Sequence, residues 1–211
     1  MMNINCTLCG TKSTLYSKKQ HKRYYACPLC QGIFMHPDDY LTKEAEKSRY
    51  EMHHNDILDL GYQGFVGPIV DAVSQLFTSN SIGLDYGCGT GPVISKMLMD
   101  KDYVIKLYDP FFANQYENLQ RQYDYIVCCE VMEHFHHPSD EFNKLKRLLK
   151  PNGMLIMKTS LYHETIDFEN WYYKNDPTHV FFYRKSTLEW ILKHYHFKSL
   201  IITEQYLRFM I

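Results

Sequence analysis

Apolar positions from residue 65 onward follow two alternating patterns. They recur at the spacing of an amphipathic helix over 65–77, 139–150 and 185–195. Short, nearly continuous apolar runs lie between and after these segments and predict strands at 82–84, 103–108, 125–129, 154–159, 197–203 and 206–210. Strands that alternate with helices and stay apolar along their length predict an α/β domain over 65–211, with a mostly parallel sheet and helices on both faces.

The first 36 residues have too few apolar positions to hold a fold by burial alone. Two CxxC pairs, Cys6 with Cys9 and Cys27 with Cys30, are separated by 17 residues. Each pair presents two thiolates from one turn, and two facing turns close a tetrahedral zinc site. We therefore predict a structural zinc ribbon over 1–36, because the metal supplies stability that the small core lacks. A redox CxxC is the alternative, but it does not need the second pair.

Residues 37–64 are polar and charged and form a predicted helical connector or lid, with a helix that ends near Gly61. Its polar side chains include Arg49, Tyr50, His53 and Asn55. These residues suit a lid over a ligand, but a charged, apolar-poor segment is more typical of a solvated connector, which we take as the prediction.

Composition limits the classes of protein to consider. A chain of 211 residues has room for one substantial core and a small module. The formal charge of −1 excludes a whole-molecule attraction to nucleic acid or anionic lipid. The N-terminus lacks a secretory pattern and no apolar run approaches the roughly 18 residues of a membrane span, so we expect a cytoplasmic protein with no membrane partner. An odd count of seven cysteines then favours reduced thiols and metal binding.

The glycine-rich segment 84–92, LDYGCGTGP, follows an apolar run and precedes a predicted helix. Gly87, Gly89 and Gly91 stand at alternate positions, where the chain can pass very close to a ligand. The next predicted strand ends at Asp109, where a carboxylate can accept hydrogen bonds from the two hydroxyls of a ribose.

Three segments, LDYGCGTG, LYDP and YDYIVCCEVMEH, together resemble the class I S-adenosylmethionine-dependent methyltransferases, whose core is Rossmann-like. The resemblance implies that the glycine loop holds the methionine part of the cofactor and that Asp109 holds the ribose. The cofactor-binding residues expected from it are Asp85, Tyr86, Gly87, Cys88, Gly89, Gly91, Asp109, Phe111 and Glu130.

The chain departs from that family at its third strand. Only 14 residues separate Asp109 from Asp124, too few for a helix, a strand and a loop together. We expect this strand to be very short or absent, so that Phe111 or Phe112 stacks on the adenine instead.

Polar residues that suit chemistry follow the strand at 125–129. Glu130, Glu133 and His134 form an ExxEH pattern, which shares one face if the segment is helical, and His179 follows the strand at 154–159. Two carboxylates and two imidazoles suit a divalent cation, and they equally suit positioning and deprotonation of an acceptor. His136 and His137 precede Pro138 and are predicted to be turn residues.

The ExxEH segment resembles that of two methyltransferase groups, the O-methyltransferases of ubiquinone biosynthesis and the small-RNA 3′-terminal ribose methyltransferases. Resemblance to the second group implies that Glu130, Glu133, His134 and His179 hold a cation. Both groups act on vicinal hydroxyls, which chelate a cation that lowers the hydroxyl pKa. The alternative is that these acids orient the cofactor or cap the next helix.

Three functions are compatible with these features. The first is O-methylation of a small hydroxylated metabolite, a sugar or a catechol-like compound. The second is RNA methylation, because residues 18–25, KKQHKRYY, place basic and aromatic residues on the ribbon, although such a run is usually a solvated hairpin tip. The third is a scaffold that binds S-adenosylmethionine without turnover.

Overall fold

The computed structural model describes residues 4–52 and 55–211. An N-terminal antiparallel sheet carries the four cysteines of the ribbon in its turns. Its strands, in spatial order, are β1 (Ile4–Asn5), β2 (Lys12–Lys19), β3 (Lys22–Ala26), β4 (Ile33–Met35) and β9 (Phe181–Phe182). The last of these comes from the C-terminal half of the chain, so this sheet is not built from residues 1–36 alone.

The second sheet has six strands and forms the centre of the larger unit. In spatial order they are β10 (Ser199–Ile202), β11 (Leu207–Met210), β8 (Leu149–Lys158), β7 (Tyr123–Cys129), β5 (Ile82–Tyr86) and β6 (Val104–Tyr108). The pairings β6–β5, β5–β7 and β7–β8 are parallel, and β8–β11 and β11–β10 are antiparallel. The predicted α/β class is confirmed, and the sheet is mixed.

In the described residues, β6 is an edge strand with nothing beyond it. A short 3-10 turn, Tyr116–Leu119, occupies the place of the expected third helix and strand. The absence of the family's third strand therefore agrees with the short spacing between Asp109 and Asp124.

Helices cover both faces of the six-stranded sheet. Alternate side chains of β7 point to opposite faces, Tyr125 and Val127 to one and Ile126 and Cys128 to the other. The first face is covered by α2 (Leu60–Leu76) and α3 (Val93–Met99), and the second by α4 (Pro138–Arg147) and α5 (Lys185–His194). All four β7 side chains are fully buried, as expected for a central parallel strand.

The connector differs from its prediction. The helix α1 (Lys43–Glu51) begins at an N-cap formed by Thr42 and ends well before Gly61. Asp59 caps the start of α2, and the Asp56 carboxylate accepts the Leu58 amide, so local side-chain hydrogen bonds favour a turn over a continuous helix. The prediction of a helix ending near Gly61 was wrong.

The amphipathic helix predicted over 139–150 is also shorter. It ends at Arg147, because Leu149 enters the sheet opposite Tyr123 and begins β8. Residues 151–153 lie within the span of β8, where the pairing with β7 shifts register.

The ribbon and the larger unit share one hydrophobic core. Leu8, Tyr25 and Phe34 of the ribbon belong to the same buried cluster as Tyr183 and Leu188, which follow β9. Within the described ranges, no helix has the length and apolar character needed to cross a membrane.

Candidate functional site

A cavity of about 1010 Å³ lies at the carboxyl ends of β5, β6 and β7. Its lining includes all of the predicted cofactor-binding residues: Asp85, Tyr86, Gly87, Cys88, Gly89, Gly91, Asp109, Phe111 and Glu130. His134 and His179 also line it, and Glu133 is fully buried next to His134 in the chain. Ligands of open α/β sheets bind at this edge, so the cavity is the candidate site.

The glycine loop makes a tight turn after β5, against the end of β6. Gly87 has φ +82° and donates its amide to the Tyr108 carbonyl over 2.7 Å. A Cβ at this position would lie 2.5 Å from Val131 Cγ2, so neither the backbone angle nor the space admits a larger residue. The loop is thereby held against the ends of two neighbouring strands.

Asp109 fixes the other side of the loop. Its Oδ2 accepts the Gly89 amide at 3.1 Å, and its Oδ1 accepts the amides of Phe111 at 2.8 Å and Phe112 at 3.1 Å. The residue is buried but lines the cavity. Its carboxylate therefore both organises the loop and presents acceptor oxygens at the end of β6.

Asp85 lies at the base of the loop, where it is buried and accepts a hydrogen bond from Ser95 Oγ over 2.7 Å. Burial raises the pKa of this carboxyl from 3.8 to about 7, although the Ser95 hydrogen bond opposes the shift.

Helix α1 and the segment after it form a wall of the cavity. Arg49, Tyr50 and Asn55 all line it. Arg49 Nη2 lies 2.7 Å from Asp176 Oδ2, and a Cβ on Gly91 would lie only 1.8 Å from the Asn55 carbonyl oxygen. The interpretation of these residues as a solvated connector was wrong, because they pack against the site; His53 lies outside the described residues.

Glu130 stands at the end of β7 in a left-handed conformation, with φ +52°. Its amide donates to the Lys158 carbonyl at 2.8 Å, so the residue is still anchored to the sheet. Glu133 and His134 follow in a short 3-10 turn, Met132–His134, and the first α-helix after β7 begins only at Pro138. The ExxEH segment is therefore not an α-helix, so the condition for a shared helical face is not met. The left-handed backbone of Glu130 is strained and lies at the cavity wall.

His134 and His179 are oriented by backbone carbonyls of one short segment. His134 Nδ1 donates to the Thr178 carbonyl at 3.0 Å, and His179 Nδ1 donates to the Tyr173 carbonyl at 2.7 Å. A carbonyl only accepts, so in the neutral rings the lone pair is on Nε2. Ligand atoms of Glu133, His134 and His179 all lie within 4.8 Å of one another.

Two hydroxyls connect the carboxylates. Tyr173 donates to Glu130 Oε2 and Thr159 donates to Glu133 Oε2, each over 3.0 Å, and the two hydroxyl oxygens lie 2.9 Å apart. Sequence reasoning missed both residues. Thr159 carries one signal, its place at the end of a predicted strand, whereas nothing in the sequence distinguishes Tyr173 from its neighbours.

Glu133 is fully buried, and its Oε1 has no hydrogen-bond partner among the described residues. Burial and the neighbouring charge of Glu130 raise the pKa of Glu133 well above its usual range, and burial also raises that of Glu130. A buried carboxylate oxygen without a partner is costly unless something satisfies it. Two imidazole nitrogens and this oxygen are a donor set that fits a divalent cation such as Mn²⁺, Fe²⁺ or Zn²⁺.

Asp176 precedes His179 and connects its segment to α1. Burial opposes its charge, yet hydrogen bonds from Thr178 and Arg49 lower the pKa of Asp176 well below its usual range. The carboxylate therefore stays charged and holds both the turn at 176–179 and the end of α1.

The four ribbon cysteines converge in the structure. Their sulfur atoms all lie within 4.8 Å of one another, with Cys6 and Cys30 at 3.6 Å and Cys9 and Cys27 at 3.3 Å. Zinc–sulfur bonds of about 2.3 Å in a tetrahedron separate the sulfurs by about 3.8 Å, so the cluster fits one zinc ion.

The aromatic part of the basic segment 18–25 is engaged within the protein, whereas residues 18–21 are exposed. Tyr24 and Tyr25 are buried, and Arg23 binds Asp39 through Nε at 2.9 Å and Nη2 at 2.6 Å. Lys19 Nζ donates to the Glu169 carbonyl at 2.7 Å. The rings that an RNA base would stack on are thus part of the core.

His136 and His137 lie in the turn before α4, as the sequence indicates, but both also line the cavity. The ring of His136 packs against Tyr40, with centroids 4.5 Å apart.

A family model described as a methyltransferase domain matches residues 58–201. A search of curated proteins gives no significant match.

Many solved structures share the fold, and three of them have the following similarity to this chain. The 1,6-didemethyltoxoflavin-N1-methyltransferase of Burkholderia thailandensis, with 1,6-didemethyltoxoflavin and S-adenosylhomocysteine bound, is 12% identical over 93% of this chain and 97% of its own, with a TM-score of 0.56. An O-methyltransferase family protein from the same organism is 11% identical over 78% of this chain, with a TM-score of 0.53. This chain spans 61% of that protein's length. PigF with S-adenosylhomocysteine is 11% identical over 82% of this chain and 65% of its own, with a TM-score of 0.51.

Proposed function

We propose that this chain, which belongs to the methyltransferase-domain family, transfers a methyl group to an oxygen of a small hydroxylated metabolite. Dependence on S-adenosylmethionine follows from the family and from the fold it shares with methyltransferases that hold S-adenosylhomocysteine.

One observation carries the choice of acceptor: the Glu133, His134 and His179 cluster stands at the cavity that the glycine loop also lines. Vicinal hydroxyls, as in a sugar or a catechol, chelate a divalent cation. At about 1010 Å³ the cavity is at the upper end of the range for small-molecule sites, about 300–1,000 Å³, which leaves space for a cofactor and a small acceptor.

The residues have distinct proposed roles. The glycine loop and Asp109 hold the methionine and ribose parts of the cofactor, and Phe111 stacks on adenine. Glu133, His134 and His179 hold the cation. Glu130 lies near them and accepts a hydrogen bond from the Tyr173 hydroxyl. The bound cation would lower the pKa of the acceptor hydroxyl and fix its position. Arg49 and Tyr50 of α1 would then exclude water from the transferring methyl group.

An acid–base version uses the same residues without a cation. In it, Glu130 or His134 takes the proton of the acceptor hydroxyl as the methyl group transfers. Both side chains line the cavity, and hydrogen bonds to Tyr173 and to the Thr178 carbonyl hold them in place.

We further propose that the cysteine cluster holds one structural zinc ion. Four thiolates occupy every position of a tetrahedral site, so no position stays open for catalysis.

RNA methylation and a non-catalytic scaffold are the competing functions. Burial of Tyr24 and Tyr25 removes the rings on which a base would stack, and Arg23 is paired with Asp39, so the support for RNA is reduced to the exposed basic side chains at 18–21. The scaffold predicts tight S-adenosylmethionine binding without any methylated product.

The deciding experiment incubates the protein with S-adenosylmethionine labelled in its methyl group, with Mn²⁺, and with separate small-molecule and RNA fractions. Label in small molecules bearing vicinal hydroxyls supports the proposal, and label in RNA contradicts it. The matched variant Glu133→Gln keeps the size of the side chain and removes its charge, so it should lose the Mn²⁺-dependent part of the transfer. If transfer survives exhaustive chelation, the cation version is excluded and only the acid–base version remains.

A further inference from the structure

The residue after His179 joins the ribbon to the candidate cation site. Met35, in the ribbon strand β4, donates its amide to the Val180 carbonyl at 2.8 Å. Val180 in turn donates its amide to the Glu133 carbonyl at 2.9 Å. One residue's backbone thus lies between the ribbon and the turn that carries Glu133 and His134.

The contact continues along the chain in regular pairing. Strand β9, which begins two residues after His179, pairs with β4 in the register Ile33 to Phe182 and Phe34 to Phe181. The rings of Phe34 and Phe181 stack with centroids 6.3 Å apart, and both are fully buried. Strand β9 has only two residues, so its order depends on its neighbours, and β4 supplies its strand pairing.

The second cysteine turn is packed directly on this strand. Cys27 donates its amide to the Gly32 carbonyl at 3.0 Å, which closes the turn that carries Cys27 and Cys30. A Cβ on Gly32 would lie 2.4 Å from Phe181 Cζ and 2.7 Å from Cε1. The turn and the Phe181 ring are therefore in close contact.

We propose that the cysteine ribbon is a positioning element for the catalytic cluster: its metal-bound turn fixes β4, which fixes Val180 and through it the separation of His179 and Glu133. This inference rests on the proposed function in treating the cluster as the cation site. A ribbon that only stabilised itself would have no effect on the cluster. The proposal instead predicts that a change at Gly32 alters a site whose side chains Gly32 does not touch.

The first test uses Gly32→Ala, which leaves all four cysteines and all candidate ligands in place. Its matched control is Leu15→Ala, on the exposed face of the ribbon hairpin, where Leu15 is 54% exposed. Each protein is prepared with one equivalent of zinc, enough for the four cysteines and no more, and is then titrated with Mn²⁺, followed by electron paramagnetic resonance. Zinc content is measured by elemental analysis and S-adenosylhomocysteine affinity by calorimetry.

Gly32→Ala should keep its zinc and its S-adenosylhomocysteine affinity, yet bind Mn²⁺ about 10- to 100-fold more weakly, the usual effect of disturbing the groups that orient metal ligands. Leu15→Ala should match the wild type in all three measurements. Wild-type Mn²⁺ affinity in a Gly32→Ala protein that retains zinc overturns the proposal.

The second test does not depend on Mn²⁺ binding or on the folding of a variant. Hydrogen exchange is measured on the wild-type chain with its ribbon zinc and after a chelator has removed it, with S-adenosylhomocysteine present throughout. Exchange should rise at least about tenfold at the amides of 180–182 while 82–86 stay protected. Unchanged exchange at 180–182 overturns the proposal. If the wild type shows this rise but binds no Mn²⁺, the result contradicts only the cation site of the proposed function.

Discussion

His134 and His179 lie edge to face, with ring centroids 4.7 Å apart, although they come from different loops of the sheet. The carbonyls that orient them belong to Tyr173 and Thr178, on one short segment. We therefore expect that removing either imidazole weakens cation binding and leaves the protein folded.

His179→Ala should weaken Mn²⁺ binding at least about tenfold, because one nitrogen of the cluster disappears. His163→Ala is the matched control, since His163 is exposed and outside the cavity. Electron paramagnetic resonance titration measures both. Equal Mn²⁺ affinity in the two variants would remove His179 from the proposed cation site.

Asp109→Ala should weaken S-adenosylhomocysteine binding by on the order of 1–3 kcal/mol, through loss of charge-assisted hydrogen bonds. Asp109→Asn separates loss of the charge from loss of the hydrogen bonds that organise the loop. Its amide oxygen can still accept the amides of Phe111 and Phe112, while the charge is gone. Asp100→Asn, an exposed carboxylate beside Lys96, serves as the control. Calorimetry that gives all three variants the wild-type affinity would exclude a ribose contact.

Asp85→Asn should change how stability depends on pH. The pKa of Asp85 is about 7 in the folded protein and near 3.8 when unfolded, so between these values the folded state holds a proton that the unfolded state has lost. The free energy of unfolding of the wild type should fall as pH rises through this window and stay low above it. At about 1.4 kcal/mol per pKa unit, the change is on the order of 4 kcal/mol.

The asparagine variant lacks this titration, so its stability relative to the wild type should be greater at pH 8 than at pH 4.5. Urea unfolding without cofactor at the two pH values measures the difference. If the free energies of unfolding of wild type and variant change with pH in parallel, the raised pKa does not belong to Asp85.

Arg49→Met should speed dissociation of S-adenosylhomocysteine about tenfold, because the ion pair with Asp176 anchors α1 over the cavity. Lys47→Met, on the same helix and facing solvent, should have no such effect. Stopped-flow displacement gives both rates. If Arg49→Met and Lys47→Met release the ligand equally fast, α1 is not held closed by this pair.

Elemental analysis should find one zinc ion per chain, and Cys30→Ser should lose it, because the fourth thiolate completes the tetrahedron. Cys129→Ser makes the same chemical change at a cysteine outside the cluster, so it should keep the zinc and serves as the control. Protein prepared without chelators that contains no zinc would refute the ribbon metal.

Local spacing determined a large part of this protein. The glycine loop, the acid at the end of the second strand of the larger sheet, the two CxxC pairs and the alternation of strands and helices all follow from residues close together in the chain. Such features depend on backbone angles, on burial periodicity and on the reach of one turn, which neighbouring residues set by themselves. The short interval before Asp124 likewise predicted the missing strand.

Only the tertiary structure decided what surrounds the candidate site. Tyr173 and Thr159 reach the carboxylates, α1 forms a wall of the cavity, and Phe181 and Phe182 complete the sheet of the ribbon. Glu130 adopts a left-handed conformation, so the segment that follows β7 does not continue as an α-helix. Each of these depends on contacts between distant segments, and their geometry is set by packing of the whole core, which no local pattern encodes.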